Sequence, residues 1–260
     1  MRLVTFQNTR IALLLGVLAF TAAITLHQLV YTRSWNKPLE VVILPLVGDR
    51  NLATHNYIQS LSDKHFKIIE SWFEREAKRY NLALSKPVSV RLGPQVHVQP
   101  PPFPENAHAL NVVMWGLRFR WWAFRHTPEI DSTLTLVRMF VRYYAGDENQ
   151  SLQHSLGMQK GLMGLVHAFA ISEQTAQNNI VIAHELLHTV GAIDKYGPSG
   201  LPVFPEGYAN PTRRPLFPQR NAEIMAGRIP LSRYRAYMAE SLNSVVINEH
   251  TASEINWLSN

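Results

Sequence analysis

His184, Glu185 and His188 stand in the run Ile180-Val-Ile-Ala-His-Glu-Leu-Leu-His-Thr-Val-Gly-Ala-Ile-Asp194. The dense apolar frame around them is that of a helix buried in a domain. On a helix, positions four apart share a face, with Cβ atoms about 5–6 Å apart. Both imidazoles can therefore turn toward one ion, and zinc takes such ligands at about 2.0–2.1 Å. Glu185 flanks that point without having to bind the ion, which is where a general base for a metal-activated water belongs. Gly191 follows three residues after His188, and a helix commonly ends at a glycine because glycine enters the left-handed conformation cheaply. The chain can then reverse and bring Asp194 back as a third ligand. Three protein ligands with one open position mark a catalytic zinc site rather than a structural one.

The extended pattern H-E-x-x-H-x-x-G-x-x-D resembles the metzincin clan of zinc metallopeptidases. That clan has histidine at the third position and a later methionine in a tight turn beneath the metal. Aspartate stands there in the snapalysin-like secreted bacterial proteases, and Asp194 matches that variant. Ala222-Glu-Ile-Met225-Ala-Gly-Arg-Ile-Pro230 resembles the methionine turn. The resemblance covers roughly residues 165–240. It implies an α+β fold: a mixed twisted sheet, a long backing helix, the zinc-binding helix, the methionine turn and a C-terminal helix. It also implies one catalytic Zn2+, Glu185 as general base, a protein or peptide substrate, and a catalytic domain outside the cytoplasm. Some metzincins carry a tyrosine two residues after the methionine; Gly227 stands there, so that role is absent or passes to Tyr196 or Tyr208. Glu206 and Glu223 are rivals to Asp194, because thermolysin-type sites use a downstream glutamate. Two other functions remain beside peptide hydrolysis. One is a membrane-tethered, zinc-containing interaction module; the other is a zinc amidase acting on a non-protein amide.

Residues 11–31 contain no formally charged side chain and approach the ~20 needed to cross a bilayer. They read as a transmembrane signal-anchor helix, with a cleaved signal peptide as the alternative. A short tail, 1–10, precedes it, a linker, 32–37, follows, and residues 38–260 form the metzincin-like domain. Arg2 and Arg10 before the segment balance Arg33 and Lys37 after it, so charge does not orient it. The chain has 260 residues, a net charge of +6 and no cysteine. That length suits one good core, and a chain without cysteine has no disulfide framework. No nucleic-acid motif accompanies the positive charge, which points instead to an anionic lipid surface. The protein is expected to be a monomer.

The remaining elements must position the site. Residues 38–47 and 88–92 read as strands, as does 96–98. Residues 57–80 read as one amphipathic helix with Ile58, Leu61, Ile69, Trp72 and Phe73 on a stripe. The aromatic and arginine-rich run 107–126 reads as a helix; its composition suits either a membrane interface or a core helix with arginines at the rim. Residues 132–144 and 161–170 read as strands, with 145–150 a polar turn. The second of these strands takes the place of the clan's substrate-binding edge strand, and His167 on it reads as a packed core histidine. The proline-rich stretch after Asp194 reads as a cleft wall. Residues 231–246 read as a closing helix, and the tail from Asn248 as a surface end.

Overall fold

The computed structural model describes residues 6–104, 106, 108–127, 135–146, 156–158 and 162–258. The elements run α1 (Phe6–Ser34), β1 (Leu39–Val47), α2 (Leu52–Ser60), α3 (Lys67–Arg79), β2 (Val88–Leu92), α4 (Ala109–His126), β3 (Val137–Tyr144), β4 (Leu156–Met158) and β5 (Met163–Phe169). They continue with α5 (Thr175–Thr189), β6 (Ala222–Glu223), β7 (Arg228–Ser232), β8 (Arg235–Met238), β9 (Val245–Val246) and α6 (Glu249–Glu254). This is a mixed α/β chain of the α+β class, with one apolar N-terminal helix.

The central sheet has the order β2-β1-β3-β5-β4. Its first four strands are parallel, and only β4 is antiparallel to its neighbour. Helices cover both faces, so β1 is apolar on both sides, while β3 is apolar toward α3 and α5 and carries Arg138 and Arg142 beside Phe140 on its α4 face. On β1, Val41 and Ile43 enter one core with α3 and α5, while Val42, Leu44 and Leu46 enter the other with α4. The strand expected at 161–170 is thus an inner strand, and β4 holds the edge. Residues 132–134, 147–150 and 161 of the expected strands and turn lie outside the described residues.

Three expected secondary-structure elements are corrected. The helix expected over 57–80 is two, because Leu61 and Ser62 are extended. The His65 ring nitrogen also bonds the Ser62 backbone N–H at 3.1 Å, a local bond that competes with helix continuation. Residues 96–98 are not a strand; Val96 makes one backbone bond to Pro45 and Val98 is exposed. The closing helix expected over 231–246 is instead the β7–β8 hairpin followed by β9. Ser232 starts the turn, its hydroxyl accepting from the Tyr234 N–H at 3.2 Å, and turn chemistry of this kind overrides a weak helical pattern.

The tail from Asn248 is not a surface end. Thr251, Ala252, Ile255 and Trp257 are buried, and Trp257 packs edge-on against Trp35 and Phe73. The stretch expected as a linker is partly packed as well: Thr32 and Trp35 are buried, and the Trp35 indole donates to the Ile255 carbonyl at 2.6 Å.

The proline-rich stretch after Asp194 folds back on itself. A Cβ on Gly207 would lie 2.3 Å from the Lys195 carbonyl oxygen and 2.8 Å from backbone N and O of Val203. Those neighbours are backbone atoms and cannot swing aside. Gly207→Ala is therefore expected to destabilise the fold by about 1–3 kcal/mol. Unfolding with denaturant in detergent measures this, and an unchanged midpoint would contradict the packing described.

Candidate metal centre

Helix α5 carries the chemistry, and buried amides on its first turns fix its position. The Asn178 side chain accepts from the Phe169 N–H at 3.1 Å and donates to the Phe169 carbonyl at 2.8 Å, locking α5 to β5. Asn179 donates to the His65 carbonyl at 2.7 Å, locking it to the turn before α3. Ile180, Ile182, Leu186 and Leu187 fill the core below. The helix ends as expected. Gly191 has φ 110, the Gly191 N–H reaches the His188 carbonyl, and the Ala192 N–H reaches the Leu187 carbonyl. This double bond pattern around a left-handed glycine closes the helix and reverses the chain.

The reversal brings Asp194 back onto the histidines. Its Oδ1 lies 3.1 Å from His184 Nε2 and 3.2 Å from His188 Nε2, and the two Nε2 atoms are 3.1 Å apart. The other ring nitrogens face carbonyls: His184 Nδ1 faces Ile224 at 3.0 Å and His188 Nδ1 faces Ala192 at 2.8 Å. A carbonyl only accepts, so each Nδ1 carries a proton, and each ring, once its Nε2 is deprotonated, presents a lone pair to the common point. Three electron-rich atoms then face one another at close range. A proton on either Nε2 satisfies one edge of that triangle and leaves the others strained; a cation at its centre satisfies all three. Ligands about 2.0–2.1 Å from a tetrahedral zinc stand about 3.3 Å apart, close to the edges observed. The carbonyl partners on Nδ1 are also the kind that hold metal-binding histidines in place.

His184, Glu185 and His188 form a group that could hold a metal ion, with ligand atoms within 4.8 Å of one another. Glu185 is buried. Burial pushes His184 toward its neutral form, but the hydrogen bond to Asp194, the Glu185 charge and the Ile224 carbonyl outweigh it and raise its pKa. On Asp194 burial acts upward instead, and the two histidine hydrogen bonds outweigh it, holding the carboxyl well below the usual range.

Met225 is fully buried, and the neighbouring Ile224 carbonyl receives His184. Glu223 does not turn toward the histidines. Its Oε2 accepts from the Met225 and Ala226 N–H groups at 2.6 and 3.1 Å, and its Oε1 accepts from the Thr251 hydroxyl at 2.6 Å. Glu206 contributes a backbone carbonyl to Asn248. Neither glutamate joins the metal-holding group among the described residues.

The two tyrosines part company. Tyr196 stacks on His184 at 6.5 Å between ring centroids and hydrogen-bonds Asp194. Burial, then the Asp194 charge and hydrogen bond, push its hydroxyl up to about 12, so it keeps its proton at any working pH. Tyr208 is buried between Phe204 and Phe217 in the proline-rich loop.

The chain order did not reveal two other supports. Lys195 is buried and pairs with Glu254 on α6 at 2.7 and 2.8 Å. Glu254 also accepts from the Ile193 N–H at 3.1 Å, so α6 grips the residues on both sides of Asp194. The only sequence signal was a lysine directly after a ligand candidate.

A cleft of about 360 Å³ opens beside the cluster, lined by His167 and Phe169 of β5, Val181, His184 and Glu185 of α5, Tyr196, and Ala226 to Arg228. His167 is buried, as expected of a packed histidine, and meets the Tyr144 hydroxyl at 3.1 Å. A larger hollow of about 730 Å³, between Arg79, Arg213, Asn248 and His250, touches none of the cluster residues.

No family model matches the chain, and no curated protein matches it. Among solved structures it is similar to one described as "Structure of a chaperone-substrate complex", with 11% identity and a TM-score of 0.39. That match covers 84% of this chain and 33% of the other, so this chain spans about a third of its length.

Proposed function

We propose that the protein is a membrane-anchored, zinc-dependent endopeptidase of metzincin type, with His184, His188 and Asp194 as ligands of one Zn2+ and Glu185 as general base. The observation that carries this reading is the convergence of the two Nε2 atoms and the Asp194 carboxylate on one point, with Glu185 buried beside them. The methionine turn, its carbonyl bonded to His184, supports it. So does β4, the antiparallel edge of the sheet next to the cleft strand β5. An edge strand offers main-chain groups to which an extended peptide can add.

Zinc bound there would acidify a water toward a pKa of ~7 and polarise the scissile carbonyl. Glu185 takes the proton from the attacking water and delivers it to the leaving amine. The Tyr196 hydroxyl, which keeps its proton, turns that proton from Asp194 to the substrate oxygen as negative charge grows there. The Nδ1 bonds to Ile224 and Ala192 keep both imidazoles turned to the ligand point. Helix α1 is apolar enough to cross a membrane over Asn8–Ser34, and we take it as a single-pass anchor with the domain outside the cytoplasm.

Cutting of an unfolded protein by the full chain in detergent, with zinc present and after chelation, tests the proposal. Zinc-dependent cutting supports the peptidase. Zinc binding without cutting would favour the interaction-module or amidase readings instead. Tyr196→Phe is expected to lower kcat by about tenfold to a hundredfold, the worth of one hydrogen bond to a charged group, and to keep the zinc. An unchanged kcat would remove Tyr196 from the mechanism.

A further inference from the structure

Helix α4 is apolar on two opposite faces, and among the described residues only one of them has a partner within the protein. Trp115, Phe119, Trp122 and Ala123 pack on the sheet, with Phe119 and Trp122 against Phe140. On the other side Leu110, Val113, Met114, Leu117, Trp121 and Phe124 are all exposed, Trp121 at 65% and Phe124 at 78%. At 3.6 residues per turn these six fall within an arc of about 100° and a length of about 21 Å. Arg118 and Arg125 border the arc on one side and Arg120 on the other, and the helix contains no acidic residue. A continuous outward stripe of this size on a soluble domain marks an interaction surface.

The geometry points to a bilayer surface as the occupant. α4 lies in the plane of the membrane interface, its outer stripe among the upper acyl chains and its arginines among anionic headgroups. Three observations select lipid. Helix α1 ends at Ser34 and β1 begins at Leu39, so the domain starts directly at the end of the apolar helix. That joint is packed, since Arg33 and Trp35 bond the carbonyls of Glu254 and Ile255. The domain is therefore held at the membrane and must turn some face toward it. The α4 stripe joins a tryptophan and a phenylalanine to flanking arginines with no acid, which suits a headgroup boundary carrying negative lipid. Among the described residues only α1 is long and apolar enough to cross, so α4 lies on the membrane rather than through it. The inference rests on α1 as an anchor and is independent of the zinc chemistry.

The chain has no cysteine, so single cysteines can report position. The full chain, reconstituted in vesicles of phosphatidylcholine and phosphatidylglycerol, is labelled with a fluorophore at Leu117→Cys or Phe124→Cys. Leu18→Cys in α1 is the inserted reference, and Leu52→Cys, exposed on α2, is the aqueous reference. Lipids carrying a nitroxide high on the acyl chain serve as quencher. Quenching at 117 and 124 severalfold above that at 52 is the expected result. Quenching at 18 with none above the aqueous reference at 117 and 124 would overturn the α4 assignment and leave the anchor standing. No quenching at 18 would remove the anchor as well. Cross-linking of Phe124→Cys between copies in place of quenching would assign the face to a second copy of the chain and overturn the lipid assignment.

Discussion

Glu185→Gln is expected to lower the rate of peptide hydrolysis by about a hundredfold to ten-thousandfold, the usual contribution of a positioned general base, while the protein keeps its zinc. The reasoning is geometric. Glu185 is buried on α5 beside the two histidines, within reach of the ligand point, whereas the Asp194 carboxylate touches both Nε2 atoms. Removing the charge of Glu185 therefore removes the proton acceptor and spares the ligand set. Glutamine has the same shape, so the cleft should stay intact. The measurement is kcat on an unfolded protein substrate together with bound zinc. Cutting at the wild-type rate would dismiss Glu185 as the base. Loss of zinc along with activity would instead make it a ligand.

The second large effect concerns stability. Glu223→Ala is expected to destabilise the domain by about 2–4 kcal/mol, because it strands the Met225 and Ala226 N–H groups and the Thr251 hydroxyl in a buried turn. Glu223→Gln can keep its oxygen on the two N–H groups and turn its amide toward the Thr251 oxygen, so it should cost much less. The two variants should also differ from wild type in their response to pH. Burial, against the hydrogen bonds and the Lys195 charge, pushes the Glu223 carboxyl up to about 7 from 4.5. A carboxyl whose folded pKa lies above its unfolded value favours the fold at low pH. That contribution is full below 4.5 and is lost as pH rises through 7. The stability of wild type relative to Glu223→Gln should thus fall by about 3 kcal/mol between those limits and stay level above them. Denaturant unfolding at a series of pH values, with zinc saturating, reads this difference. A pH-independent difference would mean that Glu223 is ionised throughout.

What could be read from the chain was local. The four-residue spacing of the histidines, the glycine that ends their helix and the return of Asp194 all lie within one short stretch, and each follows from helix geometry. The apolar strand β1 and the stripe on α3 were equally plain, because burial on both faces or on one leaves a simple pattern. The region after Met225 was not legible. Ser232 begins a hairpin turn where a helix was expected. The contacts that make α6 part of the site also join distant residues. Thr251 meets Glu223 across 28 positions, and Glu254 meets Lys195 across 59. No periodicity encodes such a pairing. The two-sided character of α4 was visible only as an excess of aromatics and arginines, because a core face and a lipid face draw on the same residues.

Zinc per chain, measured on the full-length protein in detergent for wild type, Asp194→Ala and Glu223→Gln, bears on the centre itself. One zinc in wild type and in Glu223→Gln, with most of it lost in Asp194→Ala, is the predicted result. Zinc retained by Asp194→Ala but lost from Glu223→Gln, or no zinc in wild type after adding it back, would contradict the three-ligand site.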